Sequence, residues 1–320
     1  MRTIRRIFVG LVVLAFMPPA WSETYPSRVV KFVVPFGAGG PADVYARVLA
    51  QYLSQETGQS FIVEDRPGGG SLIGTEAVAK SAPDGYTLLV MSNTHTTNES
   101  LIPNKPYQLM RDFVPVATVN YSDLLMVVHP SVKANTVGEF IDYVKAHPGE
   151  LNYASSGPGT PYHMAGELFK AMAHVDIVHV PHKASGDARN SVLAGNVQMM
   201  FDAITTMLPL AKAGKVKALA TTGEKRSELT PDLPTVGETV KGYEATIWLG
   251  VMAPKGTPKD VISFLNQAIN RTIQKPEVRD IWLKQGAIPM VKTPEEFAAY
   301  LRKDIEKWAN VVKISGATIR

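Results

Sequence analysis

Four short stretches of the chain hold residue types suited to gripping a small anion. They are Phe36-Gly37-Ala38-Gly39-Gly40, Ser92-Asn93-Thr94-His95-Thr96-Thr97, Ser155-Ser156-Gly157-Pro158-Gly159-Thr160 and Pro181-His182-Lys183-Ala184-Ser185-Gly186. Each follows an apolar run, and each reads as a loop at the end of a strand. N–H groups at a helix start lack intrahelical partners and carry partial positive charge, so they attract carboxylate or phosphate. Glycine lets the backbone approach such a ligand closely, and hydroxyls add donors. Two such loops from each of two lobes would hold an anion at both ends. The same residues also have ordinary structural uses. Glycine after a strand makes tight turns, and Ser, Thr and Asp cap helices. Asp43 is expected to serve the first turn of the first helix rather than a ligand. His95 and His182 occupy loop positions, where a histidine is ordinarily solvated. Asp202 ends an apolar run, and either caps the next helix or accepts from a ligand amine, hydroxyl or protonated carboxyl in a cleft.

Other chemistries find less support. Gly37 to Ala42 fits G-x-G-x-x-A, a relaxed dinucleotide fingerprint, with Glu64-Asp65 after the next strand. Against a nucleotide, Asp43 would set a fixed negative charge beside the pyrophosphate, and Pro35 and Pro41 stiffen the turn. No G-x-S-x-G elbow and no H-E-x-x-H pair occurs. The seven histidines show no pairing with metal-ligand spacing, and there is no cysteine for a thiolate or disulfide. A nucleotide-binding oxidoreductase or a periplasmic hydrolase using the same cleft is the alternative to a non-catalytic binding protein. No cofactor is expected.

The elements that must position these loops follow from periodicity. Arg28 to Pro35 reads as a buried strand, Pro41 to Thr57 as a helix ended by Gly58, and Phe61 to Val63 as a strand. A helix through Ala79 and a strand Tyr86 to Met91 complete a β-α-β-α-β unit. A second unit holds strands Leu151–Ala154, Ile177–Val180, Val197–Phe201 and Val216–Thr221, with helices Val137–Ala146, from Pro161, through Leu193, and Thr205–Ala213. Apolar runs Leu124–Val128 and Ile247–Met252 lie between the units. After the second come only helical patterns, at Pro258–Ile273, Pro276–Gln285 and Pro294–Val312, which have no sheet of their own and are expected to return to the first unit. The expected fold is therefore α/β and two-lobed, with two crossing hinge strands and a cleft. Residues 23–122 and 248–320 form one lobe, and 123–247 the other.

The first 22 residues read as a secretory leader: Arg2, Arg5 and Arg6, an apolar run Ile7 to Met17, and Ala20-Trp21-Ser22 before a cleavage point. The run is short for a bilayer span of about 20 residues. Removing three arginines and no acid lowers the formal net charge from +4 to +1, so nucleic-acid binding loses its electrostatic support. The expected location is the periplasm.

An ordered set of motifs also carries a family resemblance. It comprises Val33-Val34-Pro35-Phe36 with the glycine loop and Asp43, Glu64-Asp65-Arg66-Pro67-Gly68, Ala82-Pro83-Asp84-Gly85-Tyr86-Thr87-Leu88 and Leu151-Asn152-Tyr153-Ala154-Ser155. It continues with His163-Met164-Ala165-Gly166-Glu167-Leu168-Phe169, Val178-His179-Val180-Pro181, Gln198-Met199-Met200-Phe201-Asp202 and Leu233-Pro234-Thr235-Val236. The chain resembles the Bug family, periplasmic solute-binding components of tripartite tricarboxylate transporters. The resemblance implies a type II-like Venus-flytrap closing over a small carboxylate, without catalysis, as a monomer that serves a membrane permease or a sensor protein. It implies one carboxylate at Ala38, Gly39 and Gly40 of the loop opened by Phe36, with Ser155, Ser156 and Thr160. It places the far end at Thr94, His95, Lys183, Ala184 and Asp202. The chain departs from the family pattern at Gly37-Ala38, at Pro41-Ala42, and at His182 and Ala184, where tyrosine and glycine are usual. The last two changes fall where the variable part of a ligand would lie, and His182 there would meet a second carboxylate or stack on a ring.

Overall fold

The computed structural model describes residues 25–182 and 184–317. The secretory leader expected at residues 1–22 lies outside them. The chain runs through β1 (Val30–Val34), α1 (Pro41–Thr57), β2 (Phe61–Asp65), α2 (Leu72–Ala79), β3 (Thr87–Ser92), α3 (Asn93–Leu101), the single turn α4 (Leu109–Asp112) and β4 (Phe113–Ser122). It crosses to β5 (Leu124–Val128), α5 (Val137–Ala146), β6 (Asn152–Ser155), α6 (Pro161–Ala173), β7 (Val178–Pro181), α7 (Ser185–Leu193), β8 (Met199–Ala203), α8 (Ile204–Lys212), β9 (Lys217–Thr221) and the single turn α9 (Val236–Thr239). It then returns through β10 (Ile247–Pro254), α10 (Lys259–Ile273), α11 (Pro276–Lys284), β11 (Ala287–Pro289) and α12 (Pro294–Ser315).

The strands form two sheets, ordered β11-β4-β10-β3-β1-β2 and β7-β6-β8-β5-β9. In the first, β1 lies parallel between β2 and β3, and β10 runs antiparallel between β3 and β4. In the second, β6 lies parallel between β7 and β8, and β5 runs antiparallel between β8 and β9. The chain passes between the sheets twice, in the two expected regions. β5 pairs wholly within the second sheet and β10 wholly within the first. The first crossing is the single residue Asp123. The second follows β9, after Ala245 N–H donates to Thr222 O at 3.0 Å.

Local chemistry explains most element boundaries. α1 begins with Pro41, whose missing N–H would have no partner there, and stops at Gly58 with φ 71°. α12 begins with a reciprocal cap between Thr293 and Glu296. Three elements depart from the sequence-based expectation. The stretch Ser92 to Thr97 is not a loop: Ser92 caps α3, which begins at Asn93. β4 lay hidden because Pro115, Thr118 and Asn120 interrupt its apolar pattern. β11 adds an edge strand among the C-terminal helices.

α12 also differs from its expected place on the first lobe alone. Phe297 and Leu301 join the core that contains Trp248, and the Phe297 ring meets Trp248 edge-on at 5.9 Å. About two to three turns later, Trp308 and Val311 join the core of the second sheet with Tyr243 and Phe201. Burying one such phenylalanine contributes roughly 1.5–3 kcal/mol. The helix thus ties both lobes together. Among the described residues, no helix is long and apolar enough to cross a membrane.

Candidate binding cleft

A cleft of about 910 Å³ opens between the two sheets, at the carboxyl ends of β1, β3, β6 and β8. Such ends are the usual ligand sites of open α/β sheets. Of the residues expected to bind, Phe36, Gly39, Gly40, Thr94, Ser156, Thr160 and Asp202 line it. A smaller hollow of about 310 Å³ between α6 and α12 holds none of them.

Five expected residues lie off the lining. Ala38 is exposed on the rim of the glycine turn. His95 is fully buried, with Nδ1 accepting from Ser92 N–H at 3.2 Å and Nε2 3.0 Å from Thr75 Oγ1. Burial holds its pKa down to about 4, so it is a neutral structural histidine rather than a ligand contact. Ser155 is fully buried, and its Oγ meets His179 Nε2 at 2.7 Å and accepts from Gly157 N–H at 3.1 Å. His182 is half-buried, with Nδ1 3.0 Å from Val180 O. Ala184 is exposed and forms the N-cap position of α7. Lys183 lies outside the described residues.

The glycine turn is held from within. Gly39, at φ 75°, donates its N–H to Asp43 Oδ2 at 2.7 Å, and Gly40 N–H donates to Gly37 O at 3.2 Å. Asp43 pairs through its other oxygen with Arg47 at 2.6 Å. Asp43 therefore serves the turn, as expected. The N–H groups of Gly39 and Gly40 are thus engaged within the turn, although both residues line the cleft. The free donors sit one step further along. Gly40 is the N-cap of α1 but has no side chain to cap it, so the N–H groups of Ala42 and Asp43 have no capping partner. α7 and α8 also start without a side-chain cap, at Ala184 and Ala203. Ala42, Ser185, Thr205 and Thr206 from these three helix starts all line the cleft. By contrast, α3 and α6 are self-capped, and the Thr160 hydroxyl donates to Gly157 O at 2.7 Å and accepts from His163 N–H at 3.4 Å.

Asp202 is paired on the cleft wall. It is fully buried, Oδ1 accepts from Ala203 N–H at 2.7 Å, and Oδ2 accepts from Arg189 Nε at 3.0 Å. Burial raises its pKa, with Arg189 opposing. Each oxygen thus already holds one donor, and each keeps a second lone pair on the cleft side of the chain. Sequence reasoning missed Arg189, Tyr162, Asn120 and Asp123, which also line the cleft. Arg189 and Asp202 are 13 positions apart on α7 and β8, and no local signal links them. Asp123, at the first crossing, is 4% exposed, and its pKa is pushed up to about 6 by burial and by the charge of Glu244.

Comparison with known proteins agrees with this geometry. Residues 45–317 match the family model described as the tripartite tricarboxylate transporter family receptor, so the chain belongs to that family. It is 36% identical to Protein BugT of Bordetella pertussis, over 100% of this chain and 99% of that protein. The solved structure of Rpa4515 of R. palustris with adipate superimposes with a TM-score of 0.79 at 33% identity, covering 92% of this chain and 99% of that one. MatC of Rhodopseudomonas palustris with bound malate gives a TM-score of 0.74 at 32% identity, covering 90% and 100%. These are binding and transport receptors, and the two-lobed periplasmic-binding-protein fold is shared.

Proposed function

We propose that this protein is a periplasmic solute receptor that captures a small organic carboxylate in the interlobe cleft and delivers it unchanged to a tripartite tricarboxylate-type permease. The observation that carries the reading is the set of three uncapped helix starts, α1, α7 and α8, whose residues converge on one cleft. Their partial positive charge matches a carboxylate without needing a metal or a general base. The adipate and malate held by the two solved relatives support the same ligand class. In this reading the leader is cleaved, the receptor acts as a monomer, and residues 23–122 with 248–320 form one jaw against 123–247. The first carboxylate sits between the α1 start and Ser156, and closure of the lobes holds it.

The test is thermal shift of the mature chain against dicarboxylates, tricarboxylates, aromatic carboxylates and amino acids, with NAD as a control. Stabilisation by a carboxylate, recovered chemically unchanged, is the expected result. No response to any carboxylate together with a response to NAD would overturn the proposal. Ser156→Asp places a negative charge beside the bound carboxylate and is expected to abolish binding. Undiminished affinity in that variant would mean that the carboxylate sits elsewhere.

A further inference from the structure

Among the described residues, Arg189 is the one guanidinium on the cleft wall, and it is held by a hydrogen bond. Its side chain is 23% exposed and Nε donates to Asp202, which is itself locked by Ala203 N–H. Tyr162, also on the cleft wall, lies against Asp202 and Ser185. Among the described residues, neither Nη atom of Arg189 makes a hydrogen bond. A guanidinium anchored through Nε keeps its two Nη groups for a planar acceptor, and a carboxylate matches that fork. The buried Asp202 balances the charge and fixes the plane, so little side-chain entropy is lost when a ligand arrives. An arginine that served only to neutralise Asp202 would have no need to face the cleft.

We propose that Arg189, positioned by Asp202, binds the second carboxylate of a dicarboxylate ligand and makes the receptor selective for dianions. The inference rests on the carboxylate-receptor reading above. Asp202 is then a positioning residue, and Arg189 makes the ligand contact. The first carboxylate remains at the α1 start, in the other lobe, so a ligand charged at both ends bridges the jaws. A monoester of the same length would leave the Nη groups facing a neutral carbonyl. The carboxylate adds the Coulomb attraction of a full opposite charge and a second equivalent oxygen for the fork, both of which the ester lacks.

The experiment is calorimetric titration of the mature chain with linear dicarboxylates of four to eight carbons, each paired with its own monomethyl ester. At least one diacid is expected to bind about 10- to 100-fold more tightly than its ester. In Arg189→Gln/Asp202→Asn, which removes both charges together, that ratio is expected to fall below about threefold. Arg189→Lys keeps the charge but not the fork and is expected to give an intermediate ratio. The wild-type comparison of acid with ester stands even if a variant fails to fold. If a diacid and its ester bind equally, or the double variant keeps the full ratio, the role of Arg189 is overturned while the carboxylate reading stands. If no acid and no ester binds, that reading fails and this inference fails with it.

Discussion

Gly286 sits at the turn between α11 and β11 in the first lobe, facing α8 of the second across the cleft. A Cβ built on it would lie 2.7 Å from Thr205 Cγ2 and 3.0 Å from Ile204 Cγ2. Carbon atoms in contact prefer about 3.5–4.0 Å, so the lobes would have to part by roughly 1 Å. Gly286→Ala therefore has two separable effects. The backbone at φ +77° suits glycine, and alanine there costs about 1–2 kcal/mol of folding stability whether the cleft is open or shut. The clash with α8 exists only when the lobes approach. At about 1–3 kcal/mol for overpacking, it should weaken binding roughly 5- to 150-fold. The assay is titration calorimetry with the tightest carboxylate found, alongside thermal melting of the ligand-free variant. Thr205→Ser removes the nearer methyl and keeps the hydroxyl. In the double variant it should recover at least half of the lost binding free energy but none of the lost melting temperature. A variant with lower melting temperature and unchanged affinity would refute the argument, because the contact would then not form part of closure.

Asp123→Asn should stabilise the protein increasingly as pH rises. The folded-state pKa is raised to about 6, so between pH 4 and 6 the native state binds more protons than the unfolded chain, and wild-type stability falls as pH climbs through that window. The advantage of the asparagine variant in urea melts should grow to roughly 3 kcal/mol above pH 7 and vanish near pH 4, and a flat difference would contradict it. The His163 and His179 rings meet tilted at 4.1 Å beneath the loop after β6, and His163 Nδ1 accepts from Gly159 N–H at 3.1 Å. Burial lowers their pKa values to about 4 and about 3, so their contribution is complete above pH 6.5 and is lost as pH falls toward 4. Proton NMR should find both rings neutral at pH 5, whereas midpoints near 6.5 would show that they are solvated. Asp43→Ala leaves Gly39 N–H without its acceptor and should cost about 1–3 kcal/mol in melts and weaken binding. Asp43→Asn, which keeps an acceptor oxygen, should cost less, and equal losses would mean that the charge of Arg47 dominates.

The order of strands and helices was readable because each boundary has a local cause. Pro41, Gly58 and the Thr293–Glu296 pair act within a few residues of their own position. The elements that escaped, β4 and β11, have polar or proline interruptions and become strands through pairing with β10 and each other. The hydroxyl-rich first turn of α3 has the composition of a ligand loop, and only the Ser92–His95 cap makes it a helix start. The same ambiguity runs through the site. Ser155 and His95 have the residue types of ligand contacts, yet their polar atoms are taken up by His179, Thr75 and Ser92.

The sequence by itself determined a two-sheet α/β chain, the positions of its glycine and hydroxyl loops, and the structural duty of Asp43. Those features depend on periodicity and on contacts four residues apart. Only the tertiary structure decided which polar groups remain free. It left uncapped helix starts at Ala42, Ser185 and the α8 start on one cleft, joined Asp202 to Arg189, and brought Gly286 against Thr205. The physical reason is that a donor has the same residue type whether its partner is a neighbouring cap or an incoming ligand. That difference is settled by distance and burial between segments far apart in the chain.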